Sequence, residues 1–369
     1  MKKKTALALA LSLTLGLLTG CGGRAPNKPG DLLKAGSAAV FAGGDGTEEH
    51  PYVITTPEGL SAIRENLGAH YRLNADIDLS GAEWTPIGAF TPEGDSDAER
   101  KIPVKANAFT GVFDGGSHTV SDVLIHESDS DAVGLFACVR DAHIYNLTVD
   151  GASVDGHALT GAVVGYAYNS RLTAVSLTGV NAIVGHENAD EGAESVGGVI
   201  GGATNSLIDS CSAKANVVLP DNSAKGGILC GGLEAASVIN GYATGTLKAG
   251  DGCSDIGALA GSVSDSEEIT NCRVENVGIM VGERAAFVGG MAGRIENRQD
   301  GTENALVTAI SRCAVENAEI SVGEDSDAPG GMVGGGSPSG DGGAFVLTDC
   351  TLSGATVNGE KAAMVGGGL

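Results

Sequence analysis

The first residues able to do chemistry form a polar patch between Tyr71 and Leu79. Apolar and polar residues alternate here, so the polar ones share one face of a predicted strand. They are Arg72, Asn74, Asp76 and Asp78. Carboxylates beside an arginine could serve as general acid and base, as polysaccharide lyases and hydrolases built on β-helices require. The same alternation is typical of the solvated face of a half-buried strand. We therefore favour a solvated face, keep these four residues as the candidate ligand-binding patch and assign no catalytic residue.

Short acidic loops recur before the glycine-rich segments and could bind calcium, which prefers oxygen ligands. The candidate ligands are Asp129, Asp131, Asp190, Glu191, Asp325 and Asp327. These loops do not match the glycine-rich calcium nonapeptide. Solvation of the surface and protection against edge-to-edge aggregation is the favoured alternative, so no cofactor is assigned.

The sequence spacing gives no support for zinc or thiol chemistry. The eight cysteines include no Cys-x-x-Cys pair, which argues against zinc and thioredoxin-type sites. His126-Glu127 and His186-Glu187 lack the second histidine of a zinc-protease motif. The seven histidines are scattered without ligand spacing. The sequence therefore predicts no metal ligand other than the weak calcium candidates.

Cys21 carries the most specific predicted chemistry. Three lysines and a short apolar stretch precede it, and the stretch is too short to span a bilayer. The run Leu18-Thr19-Gly20-Cys21 resembles the lipobox of bacterial lipoproteins, which implies cleavage before Cys21 and acylation of that residue. We therefore expect a signal peptide over residues 1–20 and a lipid anchor in the membrane, which places the chain outside the cytoplasm at the bacterial cell surface.

A repeat supplies the elements that position these residues. Glycine accounts for 59 of the 369 residues, and the pattern Gly-(Gly/Ala)-apolar-apolar-Gly recurs, as in residues 197–201 and 257–261. Each copy is followed by an apolar-x-x-apolar run and then by a third alternating run. Three short strands per unit without helices predict an all-β fold, a right-handed parallel β-helix or β-solenoid. A β-sandwich is the alternative, but it predicts no register of Gly and Cys across units.

Stacked coils place equivalent residues about 4.8 Å apart, so like residues form ladders. We predict one ladder of buried thiols that act as small apolar groups: Cys211, Cys272, Cys313 and Cys350, with Leu147, Val175 and Tyr242 at the same position in other coils. Turn residues that tolerate positive φ follow in most units: Gly151, Gly179, Gly245, Asn276, Asn317 and Gly354.

The chain divides into four predicted parts. Residues 1–20 are the signal peptide, 21–45 a flexible tether, 46–125 an N-terminal cap with the first coils, and 126–369 the repeat β-helix. The cap begins with a short helix at Pro57, where Thr55 and Glu58 have the spacing of a capping box. The last unit ends at Leu369 after one strand, so we expect a longer parent protein or a partner chain over this end.

Several motifs together resemble bacterial surface proteins that carry the GLUG motif. They are Pro51-Tyr-Val-Ile54, Asp76-Ile-Asp-Leu79, Trp84-Thr-Pro-Ile-Gly88, Phe109-Thr-Gly-Val-Phe-Asp-Gly-Gly116 and the Gly-apolar-apolar-Gly repeats, and they span about residues 46–369. The resemblance implies a β-solenoid at the cell surface with an adhesin-like role. Some immunoglobulin A-cleaving metalloproteases also carry this motif, but their His-Glu-x-x-His signature is absent from this sequence.

The excess of acidic residues narrows the range of binding partners to be expected. The 46 acidic residues outnumber the 22 basic ones, giving a net charge of −24, which argues against binding to nucleic acid or anionic lipid surfaces. A solenoid presents a long flank, which favours many weak contacts with an extended partner. We therefore predict a binding or adhesion module for an extracellular glycan, host protein or cell-wall component, and not an enzyme. A polysaccharide lyase or hydrolase and a passive surface spacer are the alternatives.

Overall fold

The computed structural model describes residues 40–90, 107–128, 130–187, 192–297, 307–327, 329–337 and 345–368. In these residues, strands pair in parallel with the equivalent strands of the preceding and following coils. For example, Ile200 pairs with Val164 on one side and with Cys230 on the other. The predicted all-β fold, a parallel β-helix, is confirmed. Among the described residues, no helix has the length and apolar character needed to cross a membrane.

Three sheets run along the axis of the β-helix, and each takes strands from successive coils. The six-stranded sheet comprises Ala132–Val133, Leu159–Thr160, Ser195–Gly197, Ala224–Gly227, Ser254–Gly257 and Ala286–Gly289. The eight-stranded sheet comprises Phe136–Arg140, Val164–Tyr168, Ile200–Thr204, Cys230–Glu234, Ala260–Ser264, Ala292–Glu296, Val333–Ser337 and Val365–Gly368.

The third sheet has 20 strands and receives most coils twice. Its strands are Tyr52–Ile54, His70–Leu73, Ile77–Asp78, Val112–Asp114, Thr119–Glu127, His143–Gly156, Arg171–Thr178, Ala182–Gly185, Leu207–Asp209, Ser212–Leu219, Ser237–Ile239, Tyr242–Ala249, Glu268–Thr270, Arg273–Val281, Thr308–Ser311, Ala314–Val322, Phe345–Thr348, Thr351–Ser353, Thr356–Val357 and Glu360–Lys361. One pairing, between the last two of these strands, is antiparallel.

The glycine-rich segment of each repeat is a corner and not the single strand that we predicted. In the coil from residue 224, one strand ends at Gly227 in the six-stranded sheet and the next begins at Cys230 in the eight-stranded sheet. A Cβ atom on Gly227 would overlap the carbonyl oxygen of Cys230, three residues ahead. The chain can therefore turn this sharply only where the side chain is absent.

The predicted cap is present, with a different N-cap residue. The α-helix Pro57–Ser61 continues as a 3₁₀ helix over Ala62–Glu65. Thr56 caps it by accepting a hydrogen bond from the Gly59 N–H at 3.2 Å, so the capping box predicted from Thr55 and Glu58 does not form. Leu60 and Ile63 are fully buried. Phe41, within the predicted tether, is also buried and stacks on Tyr52.

The cysteine ladder is confirmed with two corrections. Cys211, Cys272 and Cys313 are buried and follow in-register strands, but Cys350 is half-buried. Gly241, not Tyr242, occupies the ladder position between Cys211 and Cys272, because Tyr242 pairs with Arg273. The Sγ atom of Cys272 lies 3.2 Å from where a Cβ on Gly241 would be, so this thiol fills the space left by glycine.

The predicted turn residues are confirmed. All six have positive φ: Gly151, Gly179, Gly245, Asn276, Asn317 and Gly354. Asparagine serves at two of these places because its short polar side chain tolerates the left-handed region better than most residues do. The Nδ2 of Asn317 donates a hydrogen bond to the Oδ1 of Asn276 in the preceding coil at 3.1 Å. This contact links the turns of adjacent coils.

Candidate functional site

The predicted polar patch lies on an exposed face, where each acidic side chain has a local partner. Arg72 forms an ion pair with Asp114 at 3.5 Å. Asp76 accepts hydrogen bonds from the Thr119 N–H at 2.9 Å, which lowers its pKa, and its carboxylate contacts His118. Asp78 accepts a hydrogen bond from the Ser80 N–H, and this bond also lowers the pKa of Asp78. Asn74 borders a shallow depression with Arg72. The side chains thus hold the ends of neighbouring turns, and the two carboxylates do not converge on one point.

The acidic loops are described only in part. Asp129, Asp190 and Glu191 lie outside the described residues. The predicted lipidation site, Cys21, also lies outside them. Asp131, Asp325 and Asp327 are exposed, and Asp325 takes a positive φ of 55° within a turn. No group of three or more His, Cys, Asp or Glu side chains in the described ranges is already arranged as a metal site.

A groove of about 770 Å³ that we did not predict runs along the junction of the six-stranded and eight-stranded sheets. Its wall on the first sheet is a ladder of equivalent residues from five coils. Leu159, Ser195, Lys225 and Asp255 line the groove, and Phe287 continues the ladder in the next coil. Four intervals of about 4.8 Å give the ladder a length of about 19 Å. The groove is therefore long enough for an extended chain to lie across several coils.

Glycines from two successive coils, Gly202 and Gly232, form part of the floor of this groove. The eight-stranded sheet contributes another ladder, in the order Tyr166, Gly202, Gly232, Ser262 and Arg294. Cβ atoms on Gly202 and Gly232 would meet mainly side-chain atoms of Leu159, Ser195 and Lys225 across the groove. The absence of side chains at these two positions leaves a trough with Tyr166 at one end and Arg294 at the other.

The charged side chains of the groove are held in pairs. Lys225 Nζ lies 3.2 Å from Glu194 Oε1. Arg294 Nε lies 3.0 Å from Asp255 Oδ1, and its Nη1 lies 3.7 Å from Glu296. The guanidinium of Arg294 also stacks 4.1 Å from the centre of the Phe287 ring. These contacts fix the position of Arg294, which leaves it oriented for a ligand at low entropic cost.

Asp255 is a buried acid in the wall of the groove. It is only 5% exposed, and burial raises its pKa to about 6, although Arg294 and Lys225 act in the opposite direction. Its contact with Arg294 is an ion pair rather than a directed hydrogen bond. A carboxyl group that titrates near neutral pH beside a fixed arginine is a feature of functional sites more often than of solvated surfaces.

The backbone at this wall is unusual. Lys225, Asp255 and Phe287 have φ values of 57°, 59° and 53°, in the left-handed region that disfavours side chains, especially bulky ones. Three consecutive coils keep this conformation at the same ladder position. One signal in the sequence was overlooked, since each of these residues stands two positions before the repeat glycine. The left-handed conformation itself has no sequence signature at lysine or phenylalanine.

Comparisons with known proteins match this chain to a repeat motif and to parts of two larger proteins. The family described as "The GLUG motif" matches residues 192–218, which form one coil of the β-helix. Halomucin of Haloquadratum walsbyi is 36% identical over 186 residues, which are 48% of this chain and 2% of halomucin. A "Putative Gly-rich membrane protein" of Evansella cellulosilytica is 34% identical over 143 residues, 36% of this chain and 15% of that protein. The chain thus matches only a small part of each relative.

One crystal structure, titled as that of a "putative immunoglobulin A1 protease" from Bacteroides ovatus, aligns with 88% of this chain and 84% of that chain. The TM-score is 0.47 and the sequence identity is 18%. This likeness is too remote to bear on function.

Proposed function

We propose that this chain is an extracytoplasmic surface protein that binds an extended polysaccharide along the groove between the six-stranded and eight-stranded sheets. The observation that carries the proposal is the trough over Gly202 and Gly232, bounded by Tyr166 and Arg294. It crosses several coils and is open to solvent, as a binding site for a chain must be.

The lining of the groove favours a glycan over a protein partner. Protein interfaces have cores rich in aromatic and apolar residues and depleted in charged ones. This groove keeps charged side chains in its lining, among them Glu234 and Glu296, and combines hydroxyl groups such as that of Ser262 with apolar and aromatic side chains such as Leu159 and Tyr166. Paired charges and hydroxyls suit a ligand that offers many donors and acceptors and carries little net charge, which describes a polysaccharide.

We also propose that the chain is anchored by lipid on Cys21. The lipobox-like run before Cys21 supports this, as does the relative named as a Gly-rich membrane protein. Replacing Cys21 by Ser removes the acceptor thiol, so we expect the variant expressed in bacteria to lose radiolabelled fatty acid and to leave the membrane fraction. Cys350→Ser is the matched control and keeps both. Equal labelling of the two variants would contradict the anchor.

The groove is tested by filling it. We expect Gly232→Leu to lower affinity for the glycans retained by the wild-type chain on a polysaccharide array by about tenfold or more. A side chain at this position occupies the trough and displaces only the side-chain atoms of Ser195 and Lys225. Biolayer interferometry with each retained polysaccharide measures the affinity, and circular dichroism checks that the fold persists.

Gly278→Leu is the matched control. Gly278 also lies in a strand, but in the 20-stranded sheet, and the nearest atom to its added Cβ would be the Thr246 methyl group at 3.8 Å. We expect this variant to bind as the wild type does. The proposal is wrong if no polysaccharide is retained by the wild-type chain, or if both variants bind equally well.

A polysaccharide lyase or hydrolase is the second candidate, and Asp255 favours it. Burial raises the pKa of Asp255 to about 6, a value suited to general acid–base work near neutral pH. The binding assay separates the two functions, because only an enzyme releases shortened or unsaturated sugar products over time. Release that is abolished in Asp255→Asn while binding persists would establish the enzyme.

A further inference from the structure

Two histidines that lie 60 positions apart in the sequence approach the same carboxylate on the outer surface of the 20-stranded sheet. The Nε2 atoms of His126 and His186 each lie 3.8 Å from Oδ2 of Asp155. His126 pairs with Asp155 in register, and His186 follows two residues after Val184, the partner of Asp155 in the next coil. Three adjacent coils thus bring three ligand-type side chains together.

The hydrogen-bond partners of these side chains leave both Nε2 atoms beside the same carboxylate oxygen. His126 Nδ1 lies 3.2 Å from Glu83 Oε1, so a neutral His126 donates its proton to Glu83 and keeps a lone pair on Nε2. Among the described residues, the buried Nε2 of His186 has no hydrogen-bond partner. At 3.8 Å from Asp155 Oδ2, neither Nε2 atom forms a hydrogen bond with this carboxylate.

From this arrangement we propose that His126, Asp155 and His186 form a site for a divalent transition metal such as Zn²⁺ or Ni²⁺. Two imidazoles and one carboxylate are a common ligand set that leaves coordination positions open. Glu83 then serves as the outer-shell carboxylate that orients a ligating histidine.

The closure required between each imidazole and Asp155 is small. Ligand atoms about 2.0–2.1 Å from a tetrahedral Zn²⁺ stand about 3.3 Å from each other. The present 3.8 Å separations to Asp155 therefore need to shorten by about half an ångström. Without this movement, no group of three such side chains in the described residues is arranged to hold a metal ion. His126 and His186 are nearly half exposed, at 46% and 41% of their side chains, so both can rotate toward a metal.

Isothermal titration of the full, untagged chain with ZnCl₂ and with NiCl₂ tests the site. At neutral pH we expect saturable binding and a rise in melting temperature. Binding is expected to weaken in acidic buffer, because protons compete with the metal ion for imidazole nitrogens. Co²⁺, added as a spectroscopic probe, should give visible absorption bands from nitrogen and oxygen ligation.

Variants distinguish this site from adventitious binding to an acidic protein. We expect His126→Gln and His186→Gln each to lower affinity more than tenfold, and Glu83→Gln to lower it about tenfold or more. His118→Gln is the matched control, because His118 contacts a carboxylate of its own, Asp76 at 3.1 Å, and should leave affinity unchanged. Should a histidine variant fail to fold, Asp155→Asn replaces it. Absence of binding, or equal affinity in the His126, His186 and His118 variants, would overturn the proposal.

Discussion

Gly227→Ala is expected to unfold at a much lower urea concentration than the wild-type chain. The added Cβ would overlap the carbonyl oxygen of Cys230 and lie 2.8 Å from its carbonyl carbon. Both atoms belong to the backbone, which is held by strands of the coils on either side, so neither can move away cheaply. We expect a loss of about 3–5 kcal/mol in the free energy of unfolding, measured by urea titration.

Gly278→Ala is the control for the effect of adding a methyl side chain at a glycine. Its Cβ would meet only the Thr246 methyl group, at an ordinary contact distance of 3.8 Å. We expect this change to alter stability by no more than about 0.5 kcal/mol. Equal stability of the two alanine variants would mean that the corner can relax, and that the repeat glycine is not required by sterics.

The corner glycines also show how much of the fold could be predicted from the sequence. Their regular spacing predicted stacked coils, and the turn residues from Gly151 to Gly354 and most of the cysteine ladder followed from the same register. One residue was misplaced, because Gly241 has no apolar side chain to mark the ladder position, and the apolar residue beside it is Tyr242. Spacing identifies which residues are equivalent only where each coil keeps an apolar side chain at the position.

The groove and the histidine cluster could not be predicted in this way. His126, Asp155 and His186 meet because adjacent coils stack in register, and none of the three belongs to a local motif. The groove depends on the angle at which two sheets meet and on left-handed backbone at Lys225, Asp255 and Phe287. These are properties of the packed solenoid and of no single segment. The polar patch from Arg72 to Asp78, by contrast, was visible in the sequence because alternation is local.

Asn181→Leu is expected to destabilise the chain by about 3–5 kcal/mol, although the two side chains are similar in size. The Asn181 side chain is 1% exposed, and its hydrogen bonds connect three coils. Its Oδ1 accepts from the Ala152 N–H at 2.7 Å, and its Nδ2 donates to the carbonyls of Thr178 at 2.6 Å and Lys214 at 2.8 Å. Leucine would leave one buried and two partly buried backbone groups without this side-chain partner, at about 1–3 kcal/mol for each buried group before relaxation.

Urea unfolding of Asn181→Leu and Asn216→Leu measures this difference, because Asn216 lies in the adjacent coil but is exposed. The Oδ1 of Asn216 accepts one surface hydrogen bond, from the Thr246 hydroxyl at 2.7 Å, which water can replace. We expect the control to lose less than about 1 kcal/mol. Native-state hydrogen exchange measures the local effect. The Ala152 amide should lose its protection from exchange in Asn181→Leu and keep it in Asn216→Leu. A protected Ala152 amide and equal stability of both variants would show that the coils are held together by strand pairing and apolar packing without this buried amide.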